Sequence, residues 1–122
     1  MGQRGNYIIQ SAGQFKIFYT HWRANLIAHD LLQGPKKYLA FVRQFEQRKE
    51  LVNDPWIEGC VWVDLDAKTL LFWEIEQLLE YSVREAYLKI LQDKWKGWKV
   101  SFAEKEMYDI EKLLGIDYTS CQ

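Results

Sequence analysis

With 122 residues, 48% of them hydrophobic, and a formal net charge of −1, the chain has the size of one domain able to bury a core without disulfide or metal staples. Six Trp, seven Tyr and six Phe against seven Gly and two Pro exclude a disordered or low-complexity chain. The slightly acidic balance and the lack of any recognised motif argue against nucleic-acid binding, and no run approaches the roughly 18 apolar residues of a membrane span.

In chain order, "NYIIQ" and "QFKIFYTHW" alternate in polarity around "SAG" and read as a β-hairpin. Phe15, Ile17, Tyr19 and His21 point one way, Lys16, Phe18, Thr20 and Trp22 the other. Both faces carry aromatics, so this ribbon is expected to pack on both sides near its end. "ANLIAHDLL" is a short helical stretch that stops at Gly34. Pro35 then sits at a position suited to the first turn of a helix over 35 to 50, with Tyr38, Leu39, Phe41, Val42 and Phe45 as its apolar stripe and Lys36, Lys37, Arg43, Arg48 and Lys49 opposite.

"VNDPW" breaks that pattern. Residues 58 to 74 carry β-branched and aromatic residues on both sides of a polar "DAK" turn, which predicts a second hairpin over 59 to 65 and 68 to 74. Leu79, Val83, Ala86, Tyr87, Ile90 and Leu91 recur at helical spacing, so an amphipathic helix is expected from 77 to 95, ended by Gly97. "WKVSFA" is a fifth short strand. "EKEMYDIEKLLG" is a closing helix with Met107, Ile110 and Leu114 inward. Hairpins rather than alternating βα units predict an α+β domain over 1 to 122: an antiparallel sheet of about five strands, built from two hairpins plus one late strand, with three to four helices packed on it.

Charge is unevenly distributed. Residues 1 to 49 hold eight Lys or Arg against two acids, and residues 50 to 122 hold eight against fifteen. Clustered charge of one sign biases encounters toward partners of the other. Cys60 and Cys121 lie far apart, and such cysteine usage fits a reducing, cytoplasmic setting. The opening "MGQRGNYIIQ" has no apolar signal core, and Asn6 stands where a myristoylation signal needs Ser or Thr.

Two candidate sites emerge. If the first hairpin closes about "SAG", Arg4 and Asn6 come beside Tyr19, His21, Trp22 and Arg23, with Asp30 near. So many hydrogen-bonding groups must satisfy one another or serve a ligand, since each one buried unsatisfied costs about 1–3 kcal/mol. Arg and aromatic faces suit a nucleotide-like or anionic ligand. Histidine is a common general base and Asp30 could orient His21, but no nucleophile accompanies it, so no catalytic residue is assigned.

The second candidate is acidic. Asp64 and Asp66 in "DLD", Glu74 and Glu76 in "EIE", and Glu80 fall in a segment that also holds Glu50, Asp54, Glu58 and Glu85, with only Lys68 and Arg84 in opposition between 50 and 85. The carboxylates match no EF-hand loop, and His21, His29, Cys60 and Cys121 show no zinc spacing. Neither a metal nor another cofactor is expected. A basic protein partner is the functional reading of this surface. Most of the tryptophans, Trp62, Trp73, Trp95 and Trp98 among them, are expected in the core.

"RGNYII", "YTHWRAN", "DLLQGP", "VWVDLDAKTLLFW" and "WKGWKVSFA", in that order and across nearly the whole chain, resemble a bacterial family of small proteins with RGNY, Y-x-HW and W-x-GW motifs and no assigned reaction. The chain departs from that pattern at Gln33, where Trp is expected, and at Arg23, where Gly is commoner. The resemblance implies a small cytosolic interaction protein of the immunity type, which binds and neutralises a toxin. Joined to the acidic segment, it makes the leading expectation a non-enzymatic protein that meets a basic toxin through Asp64, Asp66, Glu74, Glu76 and Glu80. The alternative is a small-molecule site around His21.

Overall fold

The structure, a computed structural model, describes residues 3–52 and 56–115. Asp54 and Cys121, named above, lie outside the described residues. Within them the chain runs β1 (Arg4–Ser11), β2 (Gln14–Thr20), a 3-10 turn (Ala24–Leu26) leading into α1 (Ile27–Leu31), α2 (Pro35–Val42), β3 (Glu46–Arg48), β4 (Ile57–Asp64), β5 (Thr69–Glu74), α3 (Tyr81–Lys94), β6 (Lys99–Phe102) and α4 (Met107–Leu113). The class is α+β, as the pattern of hairpins predicts.

The first hairpin pairs Gly5 with Thr20 through Ser11 with Gln14. Its two turn residues, Ala12 and Gly13, both have positive φ, the conformation that matches a two-residue turn to the twist of its strands. The second hairpin pairs Gly59 with Glu74 through Asp64 with Thr69. Both hairpins lie where the alternation puts them.

The way they join differs from the expectation. Among the described residues the sheet has six strands in the order β3-β2-β1-β4-β5-β6, and two of its pairings, β1 with β4 and β5 with β6, are parallel. The sheet is therefore mixed, not antiparallel. A parallel neighbour needs a crossover rather than a turn; α1 and α2 lie within the first and α3 within the second. Central strands of this kind are buried on both faces, and "GCVWV" in β4 is buried at every position.

The sixth strand, β3, comes from the end of the segment expected to be helical to residue 50. Helix α2 stops at Val42, and Phe45 folds back so that its ring lies 4.9 Å from Tyr7 and 5.0 Å from Phe41. Glu46–Arg48 then pairs with the free edge of β2, whose unpaired backbone groups favour an added strand. Helix α3 likewise begins at Tyr81 instead of 77. The preceding residues are held in a turn by the carboxylate of Glu74, described below.

The core has two halves. Tyr7, Ile9, Phe18, Val61, Val63, Leu70 and Phe72 face Ile27, Leu31, Tyr38, Leu39, Val42, Leu91 and Trp95 of the first three helices. On the other face Ile8, Ile17, Tyr19, Cys60, Trp62 and Trp73 pack with Met107 and Ile110 of α4. The ribbon thus packs on both sides, as the aromatics of both faces imply. Trp62, Trp73 and Trp95 are buried, and the Trp95 indole donates to the Leu31 carbonyl at 2.7 Å. Gly59 lets α1 approach β4, because a Cβ there would lie 2.5 Å from Ile27 Cδ1.

Candidate functional site

The aromatic corner is divided by the sheet. Asn6 and Tyr19 are cross-strand partners and so share a face, the one covered by α4. His21 joins them, its Nδ1 lying 3.3 Å from the Tyr19 hydroxyl. Arg23 instead reaches Asp30, on the side of the first three helices, through two hydrogen bonds of 2.9 and 3.0 Å, with its guanidinium 4.8 Å from the centre of the Phe41 ring. Asp30 is buried, and the bond to its carboxylate is the main reason that the Arg23 guanidinium titrates above its ordinary value.

Most of these polar groups are committed to the fold. Asn6 is fully buried; its amide donates to the Val52 carbonyl at 2.8 Å and its oxygen accepts the Val52 N–H at 3.1 Å. A side-chain amide can satisfy both backbone groups in this way, which ties the segment before β4 to the first strand. Arg48 caps the Tyr19 ring at 4.6 Å and pairs with Glu46. Arg4 is half-buried where the pairing of β1 with β4 shifts register. Trp22, in edge-to-face contact with His21, is 65% exposed. On the opposite face the Tyr7 hydroxyl meets Thr20 Oγ1 at 2.9 Å, and burial pushes its pKa up.

The five acidic residues do not form one surface. Asp64 and Asp66 lie at the turn of the second hairpin, where Asp64 Oδ1 accepts the N–H groups of Asp66 and Ala67 at 3.0 and 3.1 Å. Glu74 ends β5, roughly 17 Å from that turn at 3.3–3.4 Å per strand residue, and Glu76 and Glu80 follow it.

Glu74 points inward, which corrects its assignment to a partner-facing surface. It is 1% exposed, and its carboxylate accepts the Gln77 N–H on both oxygens (2.8 and 3.0 Å) and the Leu78 N–H at 2.9 Å. Burial raises its pKa and these N–H groups partly offset the rise. The cause is chain direction: the turn before α3 leaves donors inside the protein, and the last residue of β5 supplies their acceptor. Asp66, Glu76 and Glu80 remain exposed.

Helix α3 carries the feature that the sequence pattern misassigns. The spacing predicts one apolar side, yet Leu91 is the one fully buried residue of the helix, with Tyr87 and Leu88 half-buried. Val83, Ala86 and Ile90, spaced by three and four residues along one side, are exposed, as are Leu79 and Tyr81 at 65% and 67%. Beside them runs a groove of about 490 Å³ between α1 and α3, lined chiefly by Leu26, Ala28, Leu32, Leu78, Val83 and Tyr87. The Tyr87 hydroxyl donates to the Ala28 carbonyl and fixes the two helices on either side of it.

Charge along this face is polarised. Glu76, Glu80 and Glu85 are exposed at its beginning, where the nearby cation Arg84 is already taken by Glu104 at 2.8 Å and by the Phe102 ring. Lys89, Lys94 and Lys96, with Asp93, lie toward its end. Exposed Leu, Val, Ile and Tyr side chains at helical spacing were present in the sequence. What it could not show is which of the two sides of α3 the sheet would cover.

Beneath the sheet Cys60 is fully buried and its thiol pKa is raised by burial. Glu111 on α4 is 1% exposed, neither carboxylate oxygen has a hydrogen-bond partner among the described residues, and burial raises its pKa as well. Among the described residues no three His, Cys, Asp or Glu side chains converge as a metal site requires, and no helix is long and apolar enough to cross a membrane.

No protein-family model matches the chain, and no curated protein matches it significantly. Among solved structures, the NMR structure of TA0956 is similar over 84% of this chain and 98% of its own, at 16% identity and a TM-score of 0.46. A likeness at that level supports no inference about function.

Proposed function

We propose that this chain is a protein-interaction module, of the immunity type implied by its sequence resemblance, and that its contact surface is the exposed side of α3 with the groove beside α1. The observation that carries this reading is the unpartnered apolar side of α3: Val83, Ala86 and Ile90 face solvent on a helix whose other side already holds the core, with Leu79 exposed in the turn before it. Contiguous apolar surface of this kind marks interaction sites more often than isolated exposed residues do. An amphipathic helix laid in a groove is a recurrent way to cover it.

The partner that fits is a helix with an apolar ridge for the groove and basic residues beside Glu76 and Glu80. The expected basic partner is thus kept, with Glu76 and Glu80 as its acidic contacts, while Asp64, Asp66 and Glu74 drop out of the contact. The experiment is affinity capture from the source organism's lysate with four baits: the natural chain, V83D/I90D, E76K/E80K and D64K/D66K. One protein retained by the natural chain and by D64K/D66K, lost from V83D/I90D and weakened in E76K/E80K supports the reading. A partner retained equally by V83D/I90D overturns it.

A further inference from the structure

Three of the arginines share one arrangement: Arg23, Arg48 and Arg84 each rest on an aromatic ring and pair with a carboxylate, Asp30, Glu46 and Glu104 respectively. Arg43 departs from it. Neither its guanidinium nor the ammonium of Lys16 makes a hydrogen bond, ion pair or ring contact among the described residues. Both line a groove of about 420 Å³ where the turn end of the β1–β2 hairpin meets the end of α2. That volume lies within the usual range of small-ligand sites, about 300–1,000 Å³.

The lining has a consistent chemistry. Ile9 and Phe18 are buried and form an apolar floor, with Phe15 at the edge, and no carboxylate lines the groove. The last carbonyls of α2 are already used: the N–H groups of Arg43, Gln44 and Phe45 bond to Leu39, Phe41 and Val42. Eight of the nine lining residues come from residues 1 to 49, which hold eight Lys or Arg against two acids; the ninth, Leu65, lies between Asp64 and Asp66. A forked guanidinium together with a separate ammonium suits a multiply charged oxyanion.

We infer that this groove binds a small phosphate monoester bearing a flat apolar ring, its phosphate held by Arg43 and Lys16 and its ring lying on Phe18 and Ile9. The site is separate from the α3 surface, and neither inference depends on the other. Its test is a titration of the full chain with adenosine monophosphate, followed by amide NMR at low and moderate salt, alongside adenosine and inorganic phosphate.

The expected result is saturable shifts at Ser11, Lys16, Arg43 and Gln47, with adenosine and inorganic phosphate each binding more weakly. K16Q/R43Q, which alters two exposed side chains and so leaves the melting temperature unchanged, should weaken binding roughly tenfold or more, the scale of losing charge-assisted bonds. Absence of saturable shifts at millimolar ligand, shifts elsewhere, or unchanged affinity in K16Q/R43Q overturns the site. Inorganic phosphate binding as tightly as the nucleotide overturns the ring contact and with it the proposed ligand class.

Discussion

Replacing Glu74 by Ala removes the one acceptor that serves the turn before α3, and the cost follows from where each donor lies. Gln77 is exposed, so its N–H turns to water at little loss; Leu78 is 2% exposed, and its N–H has no such recourse. An unsatisfied buried donor costs about 1–3 kcal/mol, and two buried methylenes add about 0.8 kcal/mol each. Relief of the buried carboxylate works in the other direction, which leaves a net destabilisation of about 2–3 kcal/mol. For a domain of this size that corresponds to a fall of roughly 6–15 °C in Tm.

The Glu74→Gln variant keeps one acceptor oxygen for Leu78 and should fall between the natural chain and Glu74→Ala. Its pH dependence has a definite sign. The folded-state pKa of Glu74 is raised above the ordinary 4.5, so its contribution is fully present below that value and is lost as pH rises through the folded pKa. Glu74→Gln cannot titrate there, and its deficit relative to the natural chain should shrink over that rise. Urea unfolding of both variants from acid to neutral pH is the assay. A Glu74→Ala variant within about 0.5 kcal/mol of the natural chain, the range of ordinary surface changes, would falsify the inward placement of this carboxylate.

Other substitutions test other parts of the structure. Arg23→Ala strands the buried Asp30 carboxylate and should cost about 2–4 kcal/mol, toward the low end of broken buried pairs because Arg23 is partly exposed, as read by chemical denaturation. Glu111→Leu should stabilise the protein by about 1–3 kcal/mol near neutral pH, since it removes a buried carboxylate that has no hydrogen-bond partner among the described residues. The raised pKa of Glu111 adds that this gain narrows as pH falls toward the ordinary carboxylate range; a loss of stability at neutral pH contradicts it. His21→Ala, which loses a 3.3 Å contact with Tyr19 and an edge contact with the exposed Trp22 on a half-buried ring, should change stability by no more than about 1 kcal/mol.

How far the sequence could be read depended on range. Both hairpins follow from period-two alternation around short polar turns, and the inward faces of α2 and α4 from Tyr38, Leu39 and Val42 and from Met107 and Ile110. Contacts between distant segments leave no such local trace. Nothing within "NYIIQ" or "GCVWV" states that the two strands run parallel, although the unbroken apolar run of the second is typical of a strand buried on both faces. Strand β3 was hidden because "EQRKE" reads as a continuation of the α2 pattern, whereas Phe45, just before it, turns back onto Tyr7.

Neither candidate site forms one continuous surface in the fold. Asp64, Asp66, Glu74, Glu76 and Glu80 are near neighbours in sequence, but the length of β5 separates them and Glu74 faces inward. Asn6, Tyr19 and His21 share a face, as alternation implies, but β2 ends at Thr20 and the turn that follows carries Arg23 to Asp30 on the other side of the sheet. The apolar stripe of α3 was legible as a stripe. Its exposure was not, because a stripe shows that a helix has an apolar side without saying whether a partner segment lies in the same chain.

The most direct test of an α3 contact surface is amide hydrogen exchange on the chain with its captured partner, compared with the chain alone. Added protection confined to residues 77–92 and to 25–33 around the groove is the predicted result. Protection centred on the turn at Asp64 and Asp66, or on the hairpin end near His21, with α3 unchanged, would contradict it.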